Sequence, residues 1–184
     1  MAGVDQLQAD LKELERQIIA ALPEIAVKVT VNAKAIIQEN IKNIGFGAAY
    51  SNTQLPIWVF HKKELNNAGV AFLKNKKEQA KATGEPATTN WGEFRAAQGL
   101  PNDHVNLSYT NKMFAGLGPL NPYWEGTVIR CPLGGNSQEV IDKFNWQRDR
   151  YGDFVSKVLR QQEMDTLAKV AISQIGAILK RNNF

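Results

Sequence analysis

Residues 89–118 read TNWGEFRAAQGLPNDHVNLSYTNKMFAGLG, and they stand between a helical beginning and a mixed remainder of the chain. The order of residues predicts a capped helical turn around Trp91, Phe94 and Arg95, then a stop at Gly99-Leu100-Pro101. A short strand over His104–Ser108 follows, and a second turn opened by Thr110 or Asn111. Asn and Thr side chains accept from the free N–H groups at a helix start, and glycine and proline end helices. The stretch holds no spacing of nucleophile, base or metal ligand. Turns and caps at this density place a surface, which points to assembly rather than turnover.

Toward the N-terminus the pattern is helical. Val4, Leu7, Leu11, Leu14, Ile18 and Leu22 recur at three- and four-residue steps and draw one apolar stripe. Pro23 predicts a break, because an interior proline removes a hydrogen bond and clashes with the preceding turn. A second helix is expected from Glu24 to about Asn43, burying Ala26, Val29, Ala33, Ile36, Ile37 and Ile41 and ending at Gly45 and Gly47. Leu55–Phe60 reads as a strand begun or edged by Pro56. Residues 62–80 read as a polar helix with a thin apolar stripe, and residues 81–89 as a mobile loop around Gly84-Glu85-Pro86.

Toward the C-terminus, Glu125–Cys131 reads as a strand and Pro132–Asn136 as a loop. Asn136 or Ser137 is expected to cap a helix running to Tyr151. Phe154 to Leu159 reads as extended. A last helix spans about Arg160 to Lys180, with Met164, Leu167, Ala171, Ile175 and Leu179 on its apolar side. Helices at both ends and short strands between them predict an α+β fold: a small, mostly antiparallel sheet packed against long N- and C-terminal helices. A length of 184 residues, 43% apolar and 22% charged, predicts one domain over 1–184.

The net charge of +4 is local. Residues 61–83 carry Lys62, Lys63, Lys74, Lys76, Lys77 and Lys81 against Glu64 and Glu78, and the other sixteen basic and sixteen acidic residues balance. A lysine-rich segment attracts phosphate or an acidic protein face, and equally serves as a solvated helix end. One cysteine, Cys131, precludes an intrachain disulfide. No apolar run approaches a membrane span, and the N-terminus lacks the basic start and apolar stretch of a signal peptide. Synthesis in the cytoplasm and no membrane partner are therefore expected.

Chemistry finds little support. His61, His104 and Cys131 stand at no metal-ligand spacing, so no metal is expected. A Cys131–His104 pair is conceivable as nucleophile and base, but a small thiol before Pro132 reads more simply as packing. Asp149 and Asp153 sit beside Arg148 and Arg150 and read as a salt-linked surface. Gly45-Phe46-Gly47 lacks the remainder of a nucleotide-binding motif, and Gly134-Gly135 fits a hairpin or loop better than an anion site. No catalytic residue and no cofactor is expected. Aromatic residues beside the lysines leave a second possibility, a nucleic-acid-binding module on Lys62–Lys81.

Three segments resemble the neck and tail-completion proteins of tailed bacteriophages, the small subunits that join head to tail. They are Gly47-Ala-Ala-Tyr50-Ser-Asn-Thr53 running into Leu55-Pro56-Ile57-Trp58; Trp91-Gly-Glu-Phe94-Arg95 through Gly99-Leu-Pro101, followed by Val105-Asn106-Leu107-Ser-Tyr109-Thr110-Asn-Lys-Met113; and Trp146-Gln-Arg148-Asp-Arg150-Tyr151-Gly152-Asp-Phe154 before the last helix. Similar proteins often carry Thr-Gly where this chain has Thr110-Asn111. Asparagine is the non-glycine residue best able to take the same left-handed turn. The resemblance implies a non-enzymatic structural protein of the virion neck. It would form a homo-oligomeric ring stacked on portal, adaptor or tail proteins, around a channel through which DNA passes without sequence specificity. A closed ring needs two different faces on each subunit. Trp91, Arg95, Tyr109 and Met113 are expected to anchor one face. Lys74, Lys76, Lys77 and Lys81 are expected to face DNA or an acidic neighbour.

Overall fold

The computed structural model describes residues 2–45, 47–60, 65–105 and 112–182 and divides the chain into two compact units. Met1–Glu39 and Lys112–Phe184 form the first, and Asn40–Asn111 the second. The composition predicts one domain; here the two ends of the chain share one unit while the middle folds on its own core. The α+β class holds, with long helices first and last. The strands form three separate antiparallel pairs among the described residues, rather than a single sheet.

Helix α1 runs unbroken over Ala2–Asn43 with Pro23 inside it, where the sequence predicts a break. Proline's fixed φ suits a helix, so its cost is one missing hydrogen bond and local crowding. Strong helix formers on both sides and burial of Leu14, Ile25 and Ile37 along the helix offset that cost. In the first unit α1 is joined by α4 (Lys112–Ala115), α5 (Gln138–Tyr151), α6 (Phe154–Val158) and α7 (Gln161–Arg181). Strands β3 (Leu117–Pro119) and β6 (Leu133–Gly135) pair with Gly118 opposite Gly134. They enclose a hairpin, β4 (Tyr123–Glu125) with β5 (Val128–Arg130), in register Trp124 to Ile129. The strand expected over Glu125–Cys131 is thus a turn and one arm of this hairpin, because Gly126 takes a left-handed φ of 60° and reverses the chain.

Side-chain ties fix α1 against these elements. Thr30 donates to the Cys131 carbonyl at 3.0 Å, and Lys34 donates to the Leu117 carbonyl. Lys28 donates to Gln174 at 3.0 Å and Asn182 to Gln17 at 2.9 Å, so α7 lies antiparallel along α1 with its end level with Gln17. Ser137 caps α5 as expected, accepting from the Val140 amide. The extended piece expected at Phe154 to Leu159 is instead helical. Asp153 accepts from the Ser156 amide at 3.2 Å, and the four-residue step buries both Phe154 and Val158. The cap and that burial outweigh the strand preference of Val155 and Val158. On α7 only Leu167 is fully buried; Met164, expected on the apolar side, is exposed, as is Ile172.

The second unit is built from β1 (Leu55–Pro56), a single 3₁₀ turn (Ile57–Val59), α2 (Asn67–Thr83), β2 (Thr88–Thr89) and α3 (Trp91–Ala97). Leu55 pairs with Thr89 and Pro56 with Thr88. The strand expected to Phe60 stops after two residues, and Phe60 then donates its amide to Ile57. The loop expected over 81–89 is shorter: Lys81–Thr83 complete α2 and Thr88–Thr89 are strand, leaving only Gly84–Ala87 as a connection. Phe60, Leu73 and Phe94 are the core, with Trp91 against it. The Phe60 ring centroid lies 4.4 Å from Phe94 and 4.9 Å from Trp91, the latter edge to face.

Candidate functional site

The segment 89–105 is an inward latch. Asn90 caps α3, accepting from the Glu93 amide at 2.8 Å and donating to the Glu93 carboxylate at 3.0 Å. The helix ends in a Schellman arrangement. Gly99, at a φ of 71°, donates to the Ala96 carbonyl, and Leu100 reaches back to the Arg95 carbonyl at 3.0 Å. Arg95 is 1% exposed. Its Nε donates to the Pro101 carbonyl at 2.8 Å, and its guanidinium lies 5.1 Å from the Tyr50 ring centroid. It fastens the turn after α3 from inside.

For Arg95 and Met113 this corrects the expected outward anchors. Arg95 is buried, and Trp91 packs on Phe60 and Phe94 in the second unit. Met113 is buried in the first unit. Tyr109 lies outside the described residues, as do the expected cap at Thr110 or Asn111 and most of the expected strand His104–Ser108. The physical reason is the aromatic density itself. Phe94 and Trp91, three residues apart on a short helix, have a core of aromatic partners to enter, and Arg95 follows them inward and donates to the Pro101 carbonyl.

The lysine segment divides by helical face. Lys76 is half-buried, donates to Glu93 at 3.1 Å and lies 5.5 Å from the Phe72 ring centroid. Burial pushes the Glu93 carboxyl up, but donation from Lys76 and from Thr89, 2.9 Å away, outweighs that and holds it below its ordinary range. Lys76 is therefore a structural partner of α3 rather than a free cation for DNA. Lys74, Lys77 and Lys81 are exposed and share the opposite face of α2 with Val70. Lys62 and Lys63 lie outside the described residues.

Beside that face opens an apolar groove of about 770 Å³. Val70 and Leu73 of α2 form one wall, and Ile57, Trp58 and Phe60 the other. Lys74 and Lys77 stand among its lining residues. Trp58 is 80% exposed at the mouth. The 3₁₀ turn after Pro56 creates this geometry: the tightened chain turns Trp58 outward while Phe60 enters the core. The signal in the sequence is the spacing of Val70, Lys74, Lys77 and Lys81, which points to a groove only once the 3₁₀ turn sets Trp58 beside it.

The residues considered for chemistry are occupied locally. The two ring nitrogens of His104 face the Lys42 carbonyl at 3.1 Å and the Asp103 carboxylate at 3.0 Å, so this side chain closes the end of α1. The His104 ring beside it holds the Asp103 carboxyl below its ordinary value. Cys131 belongs to the other unit and donates to the Leu120 carbonyl at 3.3 Å. His61 lies outside the described residues. Among the described residues no group of three or more His, Cys, Asp or Glu is placed to hold a metal ion, and no described helix is long and apolar enough to cross a membrane. A side chain built onto Gly134 or Gly135 would meet Leu120 at 2.7 Å or Ile141 at 2.8 Å, so these glycines serve close packing in β6. No protein-family model, curated protein or solved structure matches the chain.

Proposed function

We propose that this chain is a structural subunit of a tailed-phage virion, a ring-forming head–tail connector or tail-completion protein around the DNA channel, and not an enzyme. The phage setting rests on the resemblance of three short segments between residues 47 and 154. The observation that carries an assembly role is the amount of large apolar side chain left in water on regular elements. Val4, Leu7 and Leu11 line the start of α1; Tyr123, Trp124 and Val128 crown the β4–β5 hairpin; and Trp58 and Val70 flank the groove. Apolar surface grouped this way marks contact sites, whereas single scattered residues do not. Portal, adaptor or tail proteins are the expected neighbours, in the virion after synthesis in the host cytoplasm.

Deleting the coding sequence from the phage genome tests the reading. Filled heads and separate tails that join when the chain is supplied in trans are the expected result; normal infectious particles contradict it. A second reading, a nucleic-acid-binding module on Lys62–Lys81, is favoured by one arrangement, Trp58 beside Lys74 and Lys77. It requires affinity that falls with salt and a salt slope that drops by roughly 0.7 for each single-strand phosphate contact removed by Lys74→Ala or Lys77→Ala.

A further inference from the structure

The apolar stripe of α1 changes character along its length. Leu14 is 8% exposed, whereas Val4, Leu7 and Leu11 on the same stripe are 61%, 52% and 48% exposed. Helix α7 ends level with Gln17, and α1 runs past it by about 20 Å at 1.5 Å per residue. The overhang is acidic at its borders: at 100° per residue, Asp10 and Glu15 flank the stripe on either side. Glu13 is held internally by Arg16, which donates to it at 2.7 Å and takes its carboxyl down to about 2.

The groove of the second unit is the complement of this helix. It is apolar along Trp58, Val70 and Leu73 and carries Lys74 and Lys77 at its border. Its volume of about 770 Å³ exceeds that of a single side chain. Anchors at positions i, i+3 and i+7 seated in an apolar groove are a recurrent mode of helix recognition, and opposite charges at the rim set the register.

We infer that the overhanging start of α1 docks in the Trp58–Val70 groove of a second copy of this chain, with Val4, Leu7 and Leu11 inside and Asp10, on one flank of the stripe, against Lys74 and Lys77. The contact joins two different faces, so each copy offers one helix and one groove and the series closes into a ring or extends. This rests on the assembly reading above and names the contact that would build it.

Sedimentation velocity of the full chain tests it. The wild type forms oligomers larger than a dimer. Leu7→Asp with Leu11→Asp, and separately Trp58→Ser with Val70→Asp, weaken association by at least about 100-fold. All four side chains are exposed, and circular dichroism checks that the variants fold. Mixing the two defective chains gives one-to-one heterodimers and nothing larger, because one intact helix meets one intact groove. Lys74→Glu with Lys77→Glu impairs assembly, and Asp10→Lys in the same chain restores it in part, whereas Glu15→Lys does not.

Oligomers indifferent to both variants overturn the inference and leave the connector reading standing. Wild-type chain that stays monomeric overturns it too, as does a monomer that binds a single-stranded oligonucleotide through Lys74 and Lys77. A confirmed helix-in-groove contact in a chain absent from virions supports the inference and removes the connector reading.

Discussion

Replacing Arg95 by methionine removes a guanidinium that is 1% exposed while keeping most of its volume. The Pro101 carbonyl loses its donor at 2.8 Å, and a hydrogen bond from a charged group is worth roughly 1.5–3 kcal/mol. Contact with the Tyr50 ring at 5.1 Å adds about 1–2 kcal/mol when it is desolvated. Relief of a buried charge returns part of this. The net expected loss is about 2–4 kcal/mol, or roughly 5–15 °C in melting temperature for a chain of this length. Lysine should rescue little, since an ammonium lacks the planar fork that bonds the carbonyl and stacks on the ring together. Thermal melts by circular dichroism read the loss. Hydrogen exchange localises it to the Gly99 and Leu100 amides that close α3. An Arg95→Met chain within about 0.5 kcal/mol of wild type, yet unable to assemble, would refute the inward reading and return Arg95 to the surface.

Gly135→Ala drives a methyl to 2.8 Å from Ile141 and 3.0 Å from its backbone nitrogen, so it should cost about 1–3 kcal/mol; an unchanged urea midpoint contradicts this. Asn90→Ala removes the α3 cap and should cost about 1 kcal/mol in the same assay, while the exposed Asn52→Ala stays neutral. Glu93 has a folded-state pKa below its unfolded one. Its stabilisation is therefore full above the ordinary carboxylate range and fades as pH falls through the lowered value. Glu93→Gln should narrow its stability gap to wild type on acidification, and a gap that stays constant from pH 7 to pH 3 argues against the pairing with Lys76.

Much of the helical frame was legible because it depends on local signals. The stripe from Val4 to Leu22, the cap at Ser137, and the ends at Gly99 and Tyr151 need only near neighbours in sequence. At Pro23 the local cost of an interior proline predicts a break, but burial of Leu14, Ile25 and Ile37 on either side of it outweighs that cost. At Val155 and Val158 strand preference yields to the Asp153 cap, which lies outside the residues that carry the preference. The site was the least legible part. Trp91 and Arg95 carry the composition of an interface anchor, but their direction depends on whether Phe60, distant in sequence, and the turn at Pro101 come to meet them. The groove had the opposite difficulty. Trp58 and the exposed lysine face of α2 were plain in the sequence, yet their approach depends on the 3₁₀ turn after Pro56 and the pairing of Leu55 with Thr89. Sorting Lys76 from Lys74, Lys77 and Lys81 likewise needed the position of Glu93.

The proposed ring subunit of a virion neck has one fixed place in the particle, and locating it is the most direct measurement. Tailed particles carrying a gold-labelled copy of the chain should show label in one tier at the head–tail junction, with an equal number of copies in every particle. Label scattered over heads or tails, or particles without the chain, would contradict it.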